Sequence, residues 1–242
     1  SYFVNAMEVG DRVQGLDFFW YMDELEKNFD ERKDEFVSSL KKLVKHIFRP
    51  ENVMLDYTSP KDQEAGIREA FSAFKKKLYT EPVALSEYTM HPVKKNEGFT
   101  NSAKVQYVCR GGNYLKAGEE YSGSFKVLRT ILGYDYLWNN VRVEGGAYGC
   151  MSAFRWDGTG YFVSYRDPNL SRTNEVFEKV VDYLENFDAD ERTMTQFIIG
   201  TVSDEDIPLT PSARGSRSYN AYLSGRTIER TQKERDELLS TT

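Results

Sequence analysis

The stretch Met151-Ser152-Ala153-Phe154-Arg155-Trp156-Asp157-Gly158-Thr159-Gly160-Tyr161-Phe162-Val163-Ser164-Tyr165-Arg166 decides the fold class. Two runs of strand-forming residues, Met151 to Trp156 and Tyr161 to Arg166, flank Asp157-Gly158-Thr159-Gly160. Turn residues between two such runs predict an antiparallel hairpin. Just upstream, Gly145-Gly146 marks a turn into the hairpin. Before that, Val127, Leu128, Ile131, Leu132 and Trp138 predict a helix from about Glu119 to Asn139. Ala103 to Cys109 alternates as a strand does, with Gly111-Gly112 read as its break. Downstream, Val176, Phe177, Val180, Val181 and Leu184 predict a helix capped near Ser171 or Thr173. Met194, Phe197, Ile198, Thr201 and Val202 predict another.

Further out, the first fifty residues read as helical. Phe18, Tyr21, Met22, Leu25 and Phe29 recur at helical spacing. Phe36, Val37, Leu40, Leu43, Val44, Ile47 and Phe48 form a cleaner stripe, read as core packing, which Arg49-Pro50 ends. Asn52 to Thr58 reads as a short strand. Ser59-Pro60 then caps and opens a helix carrying Ile67, Ala70, Phe71, Phe74 and Leu78. After Ile207-Pro208 the chain turns polar, with Arg214, Arg217, Arg226 and Arg230, and a helix is expected from about Thr227. Helices and strands in this order predict an α+β fold. Its sheet is expected to be mixed and largely antiparallel, with helices packed on one face.

Composition narrows the function. The 242 residues include 16 Tyr, 15 Phe and 3 Trp, enough apolar surface to argue against disorder. Lys plus Arg is 32 against 38 for Asp plus Glu, a net charge of −6, which argues against nucleic acid as a partner. The uncharged run Thr193 to Ser203 is far short of the roughly 20 residues a bilayer needs, so no membrane partner is expected. The start, Ser1-Tyr2-Phe3-Val4-Asn5, has neither an initiator Met nor a signal-peptide pattern, and reads as the beginning of a fragment. Cys109 and Cys150 read as two small buried thiols. His46 and His91 are the only imidazoles and stand in no His-x-x-Glu-His or His-Glu-x-x-His pattern, so no metal site is expected in this chain.

The segment with chemical interest is Tyr136-Leu137-Trp138-Asn139-Asn140-Val141-Arg142-Val143-Glu144-Gly145-Gly146-Ala147-Tyr148-Gly149. Arg142 and Tyr148 flank a pair of glycines. Glycine permits close backbone approach, Arg offers a fork of donors, and Tyr offers one directional hydroxyl. Together they can hold a peptide carbonyl or an anion. Spacing alone favours a structural Arg and a core Tyr, because most Gly-rich turns carry no chemistry.

Leu137-Trp138, Arg142 to Gly149, and Ser164-Tyr165-Arg166-Asp167-Pro168-Asn169-Leu170 resemble the last quarter of presequence proteases. These are zinc metallopeptidases of the insulinase, or pitrilysin, family. Ser203-Asp204, Pro208-Leu209-Thr210-Pro211 and Tyr222-Leu223-Ser224-Gly225 resemble the same region further on. The resemblance runs in order from about residue 10 to residue 242. It implies four similar α+β domains in one polypeptide, closing as a clamshell over an unfolded peptide substrate. Residues 1–49 would be the helical tail of the third domain, and residues 50–242 the fourth domain without its last strand.

By the motif, Arg142 and Tyr148 match the pair that the last domain extends to the substrate, with Gly145 and Gly146 beside the bound peptide. The resemblance implies a zinc ion bound by the N-terminal half of the same polypeptide, and none in this chain. Zinc would polarise the scissile carbonyl. Tyr148 would donate to the oxygen that gains charge, and Arg142 would hold a neighbouring carbonyl. The chain lacks the inverted zinc motif, so alone it is expected to be inactive. The alternative is a non-catalytic structural or binding half of an insulinase-fold complex. A basic nucleic-acid patch around Arg214 to Arg230 is a third reading, which the acidic balance disfavours. Cytoplasm is the expected compartment in a bacterium, and mitochondrial matrix or plastid in a eukaryote.

Overall fold

The computed structural model describes residues 2–84, 86–93 and 95–242. In chain order the helices and strands are α1 Asn5–Gln14, α2 Leu16–Lys27, α3 Phe29–Ile47, α4 Glu64–Lys75, β1 Gln106–Asn113, α5 Ser124–Ile131, β2 Gly149–Phe154, β3 Thr159–Asp167, α6 Ser171–Glu178, α7 Val180–Glu185, α8 Glu191–Glu205, α9 Pro211–Ser224 and α10 Ile228–Leu239. They divide into two units. One comprises Asn5–Pro92 with Leu209–Gly225, and the other Tyr2–Val4, Val93–Pro208 and Arg226–Thr242.

The first unit is helical. Arg49, buried just past α3, donates Nε to Glu51 and Nη1 to the Glu81 carbonyl at 2.7 Å. The stripe Val37, Leu40, Leu43, Val44, Ile47 and Phe48 remains exposed, contrary to the expected core packing. Periodicity fixes which face is apolar but does not supply what covers it. Asn52 to Thr58 forms no strand: no described strand pairs with it, and Met54, Leu55 and Tyr57 are exposed. The Ser59 side chain does not cap the next helix; a 3-10 turn, Lys61–Gln63, leads into α4 instead. At α9, Thr210 accepts from the Ala213 N–H, Pro211 opens the helix, and Gly225 closes it at φ +64°.

The second unit carries the α+β architecture. Its sheet has three strands in the order β1-β3-β2, each pairing antiparallel. The β2–β3 hairpin lies where the opening stretch predicted it. β1 runs through Gly111 and Gly112 instead of breaking there. A Cβ on Gly111 would come within 2.9 Å of the Gly160 carbonyl oxygen, so the glycine serves close strand approach.

The helix expected over 119–139 starts later and ends later. α5 begins at Ser124, and its rod continues through two wider π-helical turns, Leu132–Tyr136 and Trp138–Val143. Leu132, Leu137 and Val141 on this rod pack with Val108, Ala147, Phe177 and Val180 in one core cluster. Val127, Ile131 and Leu238 form a second cluster, backed by Phe187, Met194, Phe197, Ile198 and Val202. α6 has no side-chain cap; Thr173 instead gives its hydroxyl to buried Asp167 at 2.7 Å. Cys109 is exposed on β1, contrary to the buried thiol expected, while Cys150 on β2 is half-buried. Both stand on outer strands of the described sheet, and Cys150 packs against the core cluster that includes Val108.

Candidate active site

The π-helical end of the α5 rod places Arg142. The Glu144 N–H reaches back five residues to the Asn139 carbonyl at 2.9 Å, a widening of the helical ring that recurs at functional sites. Arg142 therefore stands on the last helical turn, not in a loop past Asn139. The chain then folds back sharply. The Gly146 N–H donates to the Arg142 carbonyl at 2.9 Å, and the Ala147 N–H to that of Val141 at 3.1 Å. Gly145 is buried, and a Cβ there would stand 2.4 Å from the Val141 carbonyl oxygen. Gly146 adopts φ +76°, where a side chain is strained. The two glycines thus make a turn that brings Tyr148 back beside Arg142.

The sheet supplies the other wall. On β3, Asp167 faces Gln106 and Ser164 faces Val108, so Tyr165 and Arg166 together oppose Tyr107 in a β-bulge. Arg166 sits at φ +48°, the only positive φ outside glycine among the described residues. Such a conformation costs a non-glycine residue about 1–3 kcal/mol. The Tyr148 N–H points at this bulge, with the Tyr165 carbonyl at 3.1 Å and the Arg166 carbonyl at 3.3 Å.

Residues beyond the bulge clamp the turn. Buried Asp167 accepts the Asn169 N–H at 2.8 Å and the Thr173 hydroxyl at 2.7 Å. Asn169 donates Nδ2 to the Gly145 carbonyl, and Arg172 donates to the Glu144 carbonyl at 2.8 Å and its carboxylate at 3.0 Å. The first site segment is therefore held in shape by the second.

What faces solvent is an arginine–aromatic array. The Arg142 guanidinium stacks over Trp138 at 4.2 Å and lies 5.8 Å from the Tyr148 ring centroid. The Arg166 guanidinium lies 5.6 Å from the Tyr148 ring and 5.3 Å from that of Tyr165. Tyr165 meets Tyr148 edge-on at 5.4 Å. Tyr148 is 62% exposed, and Arg142 and Arg166 are exposed as well. Among the described residues, neither guanidinium has a carboxylate partner. A guanidinium stacked on a ring keeps its N–H edges free, so this face can donate to carbonyl or carboxylate oxygens.

Other nucleophiles and metal ligands are poorly placed. Burial pushes the Cys150 thiol up to about 11, against the pull of Arg142, so it is protonated at neutral pH. Among the described residues, no group of three His, Cys, Asp or Glu side chains can hold a metal ion. The described residues thus offer no ligand set that fits a zinc ion, which the resemblance assigns to the N-terminal half of the polypeptide. Of the predicted site residues, Arg142 and Tyr148 come together at the surface, while Gly145 and Gly146 form the turn between them. Sequence reasoning quoted Arg166 and Asn169 within a motif but gave no role to them or to Arg172, although Arg-Asp-Pro-Asn is a turn signal.

The class of protein follows from this fold together with its sequence matches. The family model described as PreP C-terminal domain matches residues 96–242, and the chain belongs to that family. Over 240 residues, 99% of this chain, it is 40% identical to Protein HypA of Clostridium perfringens (strain 13 / Type A). It is 31% identical over 96% of its length to presequence protease 1, chloroplastic/mitochondrial, of Arabidopsis thaliana. It is 29% identical over 64% of its length to presequence protease, mitochondrial, of Xenopus tropicalis. The chain spans 24%, 22% and 15% of these three relatives, about a quarter or less of each. Among the described residues, no helix is long and apolar enough to cross a membrane.

Proposed function

We propose that this chain is the substrate-holding C-terminal part of a zinc-dependent metalloendopeptidase that degrades unfolded peptides. The observation that carries the reading is the pairing of exposed Tyr148 with exposed Arg142, which has no carboxylate partner among the described residues, on a closely packed turn. Rigid, pre-aimed donors are what stabilisation of a developing oxyanion requires. In this reading Arg142 grips a peptide carbonyl and sets the register. The Tyr148 hydroxyl donates to the oxygen that gains charge. Buried Gly145 lets the turn close, and exposed Gly146 keeps it slim enough for the peptide backbone to pass. The partners are the unfolded peptide and the N-terminal half of the same polypeptide, to which the zinc is assigned. No step given to this chain involves the metal. Both side chains act when the two halves close over the peptide, which couples turnover to domain motion. The compartment follows the host: cytoplasm in a bacterium, mitochondrial matrix or plastid in a eukaryote.

The test is peptide turnover by the full-length polypeptide. Tyr148→Phe is expected to lower kcat by roughly 10- to 1000-fold, and Arg142→Ala to raise KM as well as lower kcat. Zinc content and melting temperature should stay at wild-type values. Wild-type turnover in both variants would return the pair to a structural role and favour the non-catalytic scaffold.

A further inference from the structure

Arg166 stands at a backbone position that suits glycine. Its φ of +48° lies in the left-handed region, and it is the second residue of a β-bulge opposite Tyr107. Positive-φ bulge positions are ordinarily glycine, because a Cβ is strained there. Here the residue carries a long cationic side chain, without a carboxylate partner among the described residues. Its guanidinium lies over two rings, Tyr148 at 5.6 Å and Tyr165 at 5.3 Å. Its backbone meets the same target, since the Tyr148 N–H faces the Tyr165 and Arg166 carbonyls at 3.1 and 3.3 Å. Main chain and side chain of one strained residue thus converge on Tyr148.

We propose that Arg166 is a positioning residue for Tyr148. The bulge turns its carbonyl toward the Tyr148 N–H and its guanidinium onto the Tyr148 ring. Arg142 approaches that ring too, at 5.8 Å, and Tyr165 meets it edge-on. The ring is then held by two cations and an aromatic edge, while its hydroxyl is left to the ligand. Cation–π attraction lets the guanidinium hold the ring without competing for the phenolic oxygen. The backbone strain is the cost of placing an arginine where glycine would relax the chain.

The inference rests on the proposed role of Tyr148, and the test separates the two. Arg166→Gly and Arg166→Lys are made in the full-length polypeptide, each with Tyr148 intact and with Tyr148→Phe. Arg166→Gly relieves the strained φ, so its melting temperature should equal or exceed that of the wild type. Its kcat should nevertheless fall roughly 3- to 30-fold, with KM changed by less than about twofold. Arg166→Lys, which keeps a cation, should recover part of the loss. In the Tyr148→Phe background, Arg166→Gly should change kcat by less than about twofold, because no hydroxyl remains to be positioned.

A wild-type kcat in Arg166→Gly, beside a large loss in Tyr148→Phe, overturns the positioning role and leaves the Tyr148 reading standing. An equal loss in both backgrounds also overturns it, since Arg166 would then act independently of the phenol. A change in KM alone overturns it in favour of direct substrate contact. Wild-type turnover in Tyr148→Phe overturns both readings together.

Discussion

Two arginine-rich corners of the second unit spend the same side chain differently. On and before α10, Arg226 and Arg230 both bind Glu234, at 2.5 and 3.1 Å, and Arg235 grips Asp206 through two bonds of 2.7 Å. The Glu234 side chain is only 7% exposed, and Lys126 reaches it as well at 3.9 Å. In this corner each arginine binds a carboxylate, and although Arg230 also lies over the Trp156 ring at 5.0 Å, its N–H edge is engaged in holding the fold. At the π-helical end, Arg142 and Arg166 meet rings instead of carboxylates. Their flat faces are used and their N–H edges stay available. Whether a carboxylate takes the N–H edges thus separates an arginine that braces the chain from one that can grip a ligand. The same contrast weakens the nucleic-acid reading of the region after Ile207, because Arg226 and Arg230 already share the Glu234 carboxylate.

Substitutions in each corner can break or sharpen this contrast. The largest stability effect is expected at Gly145. Gly145→Ala drives a Cβ into the Val141 carbonyl and should cost about 3 kcal/mol, the upper part of the usual overpacking range. A loss well below that in a denaturant melt would mean the site turn is looser than drawn. Next is Glu234→Ala, which strands Arg226 and Arg230 and should cost about 2 kcal/mol. A neutral result there would show the α10 corner to be no brace at all.

A smaller, pH-dependent effect is expected at Glu237. It accepts the Gly123 N–H at 2.7 Å and the Ser122 hydroxyl at 3.3 Å, and the Gly123 bond above all holds its carboxyl below the ordinary range. A depressed folded-state pKa contributes stability that is present above the unfolded-state value and lost as pH falls through the folded-state value. Glu237→Gln should therefore melt a little below wild type at neutral pH. The gap should close once the medium is acidic enough to protonate Glu237 in the folded protein. A gap independent of pH would mean that shape, not charge, is what Glu237 provides. The smallest effect is expected at Arg142→Ala, within about 0.5 kcal/mol of wild-type stability, since only ring stacking is lost. A loss as large as that of Glu234→Ala would erase the distinction between the two corners.

The sequence made the second unit's elements largely legible. The hairpin around Asp157-Gly158 and the helices ending near Leu184 and Val202 write their periodicity plainly, because one face of each is buried. Arg142 and Tyr148 were legible as a pair through the motif around Gly145-Gly146. Features that depend on non-local geometry were not. Gly111-Gly112 looks like a break, and only the nearness of Gly160 shows why a strand needs glycine there. The π-helical turns after Ile131 leave no mark in a 3.6-residue pattern, so the helix seemed to stop at Asn139. The bulge at Tyr165-Arg166 exists only as a register shift against β1, and positive φ is uncommon outside glycine. The α3 stripe was legible as an apolar face, while its cover was not.

The central claim is that the Tyr148 hydroxyl, and not merely its ring, serves the bound peptide. Its most direct test is the single-turnover cleavage rate of the full-length Tyr148→Phe polypeptide at saturating peptide, measured beside its zinc content and peptide affinity. The account predicts wild-type zinc and near wild-type affinity with a rate roughly 10- to 1000-fold lower, because the oxygen that gains charge has lost its donor. A wild-type single-turnover rate would contradict it.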